Sequence, residues 1–149
     1  MKKTVFFIIS TVIALIAFSD CREYSDTEKP VINLAEPADN EILKIGEADG
    51  LHFECEFSDN EALSSYKVSI HPNFDGHTHA SSPPLKSSPH ETVDFEFEKS
   101  WTLSGRNQSV HHHEIKIPEN ATAGDYHLIV YCTDAAGNET HIAVDVELE

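Results

Sequence analysis

The chain is short of positive charge. Ten Lys and Arg face 26 Asp and Glu over 149 residues, a formal balance of −16. That excess repels phosphate backbones and anionic headgroups, which argues against nucleic acid and anionic membrane surfaces as partners. It favours solubility and attracts cations. Glycine is scarce too, at six residues, and none builds a phosphate-cradling loop. No G-x-S-x-G nucleophile turn occurs. With no catalytic constellation in view, the chain is expected not to be an enzyme. Apolar runs are also few. The longest, Val5–Phe18, falls short of the roughly 20 residues a membrane-spanning helix needs.

What is present begins with the N-terminus. "MKKTVFFIISTVIALIAFSDC" has a basic start, an apolar stretch and then a cysteine, the form of a secretory signal. Its end, "AFSDC", resembles a bacterial lipobox, whose cysteine is lipidated and becomes the mature N-terminus. Phe18 and Asp20 depart from the usual leucine and small residue, as in the relaxed lipoboxes of Bacteroidetes. The expected organisation is a signal peptide over 1–20, a lipidated Cys21 with a polar tether over 21–29, and one domain over 30–149. A cleaved soluble precursor and an uncleaved anchor are the alternatives. Lipidation places the protein in the outer membrane, on its periplasmic or cell-surface face, with the membrane held through the lipid. Removing 1–20 leaves 8 Lys and Arg against 25 Asp and Glu, a balance of −17 over 129 residues.

From residue 30 the sequence alternates apolar and polar residues with period two, the strand signal. "LHFECEF" sends Leu51, Phe53, Cys55 and Phe57 one way. "SYKVSIH" does the same with Tyr66, Val68 and Ile70. "TVDFEFE" groups Val93, Phe95 and Phe97, and by the same parity Trp101 faces inward. "EIKIP", "YHLIVYC" and "HIAVDVEL" supply further strands, and "PVINLAEP" reads as an edge strand bracketed by prolines. About seven strands without an amphipathic helix predict an all-β fold, an immunoglobulin-like antiparallel β-sandwich. Cys55 and Cys132 both fall on inward positions of an exported chain, so an inter-sheet disulfide is expected. Two buried free thiols are the alternative.

"AGDYHLIVYCTDAAGNET" resembles the last hairpin of bacterial immunoglobulin-like and cadherin-like modules. Gly137 and Asn138 suit a tight turn with positive φ. Asp134 and Asn138 carry oxygens that Ca²⁺ accepts, but a Ca²⁺ site needs several such ligands, and the pair is read as turn residues.

Ten histidines are many for this length. "IHPNFDGHTH" holds His71, His77 and His79, and "VHHHEIKIP" holds His111, His112 and His113. His111 and His113 share the parity of Ile115 and Ile117, which points them toward the end of the core. His52, His127 and His141 point outward on their strands. If the loop and the strand meet, His71, His77, His79, His111 and His113 form a metal site, with His90 and Asp75 near by. Neutral imidazoles suit a divalent transition metal such as Zn, Cu, Ni or Fe rather than Ca²⁺. A disulfide would leave no thiolate for a soft Cu(I) site.

The run from "SYKVSIHPNFDGHTH" through "VHHHEIKIP" to "AGDYHLIVYCTDAAGNE" resembles a family of Bacteroidetes lipoproteins known as a domain of unknown function. The resemblance implies an exported, lipid-anchored, immunoglobulin-like domain and assigns no activity. The function expected from the residues is capture or delivery of a metal ion, with an outer-membrane receptor or surface partner beside it. The competing expectation is a module that binds protein or glycan at the cell surface and for which the histidines are incidental.

Overall fold

The computed structural model describes residues 26–73 and 92–149. The expected signal peptide, Cys21, His77, His79, His90 and the proline-rich segment 81–89 lie outside these residues. The described chain is all-β. Its strands are β1 (Val31–Glu36), β2 (Glu41–Leu43), β3 (Leu51–Ser58), β4 (Leu63–Pro72), β5 (Phe97–Thr102), β6 (Asn107–Ile115), β7 (Gly124–Asp134) and β8 (Glu139–Leu148). They form two sheets, ordered β1-β3-β6 and β2-β8-β7-β4-β5. Every pairing is antiparallel except β2 with β8.

Alternation built this. Successive side chains of a strand point to opposite faces, and β3 buries Leu51, Phe53, Cys55 and Phe57 while exposing His52, Glu54 and Glu56. β4 and β7 present Val68, Ile70, Leu128 and Val130 from the other sheet to the same core. Burying each such side chain contributes about 1.5–3 kcal/mol.

The strand count is eight rather than seven. The unforeseen β2 has three residues, too few for a period to show. β1 is an edge strand, as its flanking prolines imply. The segment expected to bury Val93, Phe95 and Phe97 together is only partly regular. Val93 is exposed and makes an isolated bridge to Ala121, Phe95 is buried, and β5 begins at Phe97.

The expected bridge between Cys55 and Cys132 is not formed; both are free thiols. Each has no exposed surface. Burial pushes both thiols up to about 12, with the neighbouring Cys132 adding to the shift at Cys55. A thiol kept protonated in an apolar core behaves as a small hydrophobe.

Between β7 and β8 the chain turns through Ala135–Asn138. Gly137 alone has positive φ there, at 92°. Asn138 donates its backbone N–H to Asp134 Oδ1 at 2.7 Å and its Nδ2–H to Asp134 Oδ2 at 2.6 Å. Burial pushes the Asp134 carboxyl up, but bonds from Asn138, Gly137 and Ala136 outweigh that and hold it below the usual carboxylate range.

Candidate metal centre

A β-bulge creates the site. β3 and β6 pair regularly from Ser58↔Asn107 to Phe53↔His112, and the next partners are Leu51↔Ile115. Two steps along β3 therefore match three along β6. An extra residue reverses the facing of everything beyond it. Ile115 and Ile117 point inward, as their pattern predicts. Across the bulge His112 points inward too, and His111 and His113 point outward. This corrects the expectation that His111 and His113 face the core: parity counted back from Ile115 fails because the backbone breaks the period at 113–114.

The outward positions bring three imidazoles together. His52 on β3 lies 4.7 Å from His111 and 5.0 Å from His113 between ring centroids, and His111 lies 5.6 Å from His113. One ligating nitrogen from each ring falls within 4.8 Å of the others, and all three residues are exposed. Tetrahedral Zn²⁺ with nitrogens at 2.0–2.1 Å places its donors about 3.3 Å apart, so the exposed rings need close by no more than about 1.5 Å to share an ion.

The support around the trio is specific. His113 Nδ1–H donates to the carbonyl of Gly50 at 3.3 Å, which leaves Nε2 as the nitrogen with a free lone pair. Gly50 has φ +82°, and a Cβ there would stand 2.7 Å from the carbonyl oxygen of His113 and 2.8 Å from that of Ile115. Glycine is what lets the bulge pack against the start of β3. Glu54 Oε2 lies 3.8 Å from His52 Nε2. An open cleft of about 320 Å³ borders the site, lined by Glu41, Glu47, Asp49, His52 and His113 among others.

His112 takes another part. Its ring centroid lies 5.0 Å from Phe53 and 4.9 Å from Trp101, and its Nε2 is 3.0 Å from Tyr66 Oη. It thus ties β6 to β4 and β5 across the sandwich. Burial lowers its affinity for a proton. Trp101 stacks on Tyr66 at 4.8 Å, and its Nε1–H donates to Glu114 at 2.9 Å. Hydrogen bonds from Lys99 and Trp101 hold the Glu114 carboxyl below its ordinary range. Trp101 is half-buried in this stack, close to its expected core role.

His71 stands elsewhere. It projects outward from β4, opposite His127, whose Nε2 pairs with Asp145 at 2.9 Å. His71 is therefore on the outer face of the five-stranded sheet, and His111 and His113 are on the outer face of the other. The core separates them by about 10 Å, so the expectation that they share one ion is corrected. His52 completes the cluster instead. Its outward facing was legible, but its neighbours depended on the β3–β6 pairing.

The family model described as "Domain of unknown function (DUF4625)" matches residues 18–149. No curated protein matches the chain. The chain belongs to that family of unknown function.

Proposed function

We propose that this member of the family is a binding protein that holds a divalent transition metal ion through His52, His111 and His113. The observation that carries the reading is the convergence of three exposed imidazoles on one sheet face, with His113 oriented by the Gly50 carbonyl. Neutral nitrogen ligands suit Zn²⁺, Cu²⁺ or Ni²⁺. Glu54 or water completes the coordination. Among the described residues the site lies open on a sheet face, with nothing enclosing it to exclude water from a reaction, which favours capture or delivery over catalysis. The signal-like N-terminus and Cys21 support an exported, lipid-anchored protein at the outer membrane. There a metal scavenger would work beside an uptake receptor. The strongly acidic chain draws cations toward it.

Calorimetric titration of the tag-free full-length chain in detergent with Zn²⁺, Cu²⁺ and Ni²⁺ tests the reading. One equivalent is expected, lost in His52→Ala and in His111→Ala with folding unchanged. Because imidazole must be deprotonated to ligate, affinity falls on acidification below about pH 6. A His77→Ala/His79→Ala chain should keep the equivalent. Loss of binding in that variant, and not in His52→Ala, would move the site to the loop and overturn the assignment.

A further inference from the structure

At the other end of β3 a second group of ligating atoms converges. Asp26 precedes β1, Asp59 and Asn60 follow β3, and Asp134 ends β7. One carboxylate oxygen from each of Asp26, Asp59 and Asp134 lies within 4.8 Å of the others, and the Asp26 and Asp134 carboxylates are buried. Among the described residues none of the three has a Lys, Arg or His in ion-pair contact.

Both Asp134 oxygens accept from Asn138, and part of the Asp59 and Asp26 side chains is accounted for locally. Asp59 Oδ1 accepts the N–H groups of Glu61 and Ala62 at 2.9 and 2.7 Å. Asp26 Oδ1 accepts from Asn60 Nδ2 at 3.0 Å and from the Glu28 N–H at 3.1 Å. What remains points to a ligand. Among the described residues, Asp26 Oδ2, Asp59 Oδ2 and Asn60 Oδ1 are buried and have no donor. Asn60 is a neutral amide, so its stranded oxygen is an observation independent of the acidic residues. Buried acceptors are ordinarily bonded. A water brings only two protons to three acceptors, whereas a cation takes several oxygens at once.

We infer that Asp26, Asp59, Asn60 and Asp134 form a Ca²⁺ site that fastens the segment ahead of β1 onto this pole of the sandwich. Every donor is oxygen and one is an amide carbonyl, the ligand class of a hard cation. Ca²⁺ accepts oxygens at 2.3–2.6 Å in adaptable geometry, whereas Mg²⁺ demands a tighter octahedron. The clamp is half-built by protein contacts: Asn138 Nδ2–H donates to the Asp26 backbone carbonyl at 3.1 Å, and Asn60 holds the Asp26 side chain. The ion joins the lead-in segment, the β3–β4 loop and the β7–β8 turn. It is independent of the imidazole trio, which shares none of its residues.

The test is titration of the chelator-treated full-length chain with CaCl₂, followed by calorimetry and thermal melting. One equivalent of Ca²⁺ and a rise in Tm are expected, together with slower cleavage after Glu28 by a glutamate-specific protease. Asp26→Asn and Asp59→Asn should each weaken Ca²⁺ binding at least tenfold. Both retain an Oδ1 for the local bonds, and the metal-free Tm of each confirms that it folds. His52→Ala should bind Ca²⁺ as the parent does. No heat or Tm shift up to about 5 mM Ca²⁺, beyond the weak range of extracellular calcium modules, would overturn the site. So would binding that survives in both Asp variants.

Discussion

The two ends of β3 handle ligating side chains in opposite ways. At its start, His52 stands with His111 and His113, and all three residues are exposed. At its far side, Asp59 meets Asp26 and Asp134 in a place where several oxygens are already shut away from solvent. The distance along the strand is about 23 Å, too far for the sites to share a residue. An exposed cluster costs the fold little and can exchange its ion quickly. A buried one is part of the fold, and its ion becomes part of folding stability. The contrast separates a surface suited to carrying cargo from a pole suited to holding a structural ion.

Mutation should break this comparison unevenly. Asp134→Ala removes both bonds to Asn138 and loosens the β7–β8 turn. A loss of about 3 kcal/mol in a urea titration is expected, from hydrogen bonds to a charged acceptor. His111→Ala on the open face should shift the same titration by less than about 0.5 kcal/mol. Equal losses would erase the distinction.

Gly50→Ala probes where the exposed site touches the fold. A side chain there meets two carbonyl oxygens at a positive φ. A cost of about 1–3 kcal/mol is expected, accompanied by weaker transition-metal binding, because the bulge that carries His113 must shift. Ca²⁺ affinity should not change. A stable variant with intact metal binding would show that the bulge does not depend on Gly50.

The smallest effect separates the three consecutive histidines by facing. Burial lowers the His112 pKa below its ordinary value of about 6.5. The unfolded chain therefore takes up the proton first as pH falls. Stability is fully present above the unfolded value and is lost through the window below it. Denaturation midpoints measured from pH 7.5 to 5 should show this decline, and His112→Gln should flatten it. A parent chain equally stable across that range would argue against an inward, neutral imidazole.

Much of the fold was legible because burial on a strand has a period of two. β3, β7 and β8 follow that period from end to end, and β4 follows it from Tyr66 onward, past a register shift between Leu63 and Ser65. It misled where the backbone departs from it. The triplet at 111–113 was phased from Ile115, across a bulge that no spacing announces. A three-residue strand such as β2 offers no period to read. His71, His77 and His79 drew attention because they are close in sequence, yet the described member of that group lies on the wrong sheet for His111 and His113. His52 was visible as an outward residue and invisible as a partner, since pairing decides which outward residues meet. The acidic pole was less legible still. Asp26 read as tether and Asp134 as turn, Asp59 and Asn60 carried no signal, and Asn138 reaches Asp26 across 112 positions.

The bond from Asn138 to the Asp26 carbonyl bears on how far the domain can stand from a membrane. Asp26 lies five residues after Cys21, and β1 begins ten residues after it. If Cys21 carries the proposed lipid, a segment pinned at Asp26 leaves a leash of at most about 18 Å, at about 3.5 Å per extended residue. Released as far as β1, the leash doubles to about 35 Å. Calcium outside the cell would then set the reach of the imidazole face, holding it near the bilayer when the ion is plentiful and letting it range outward when the ion is scarce.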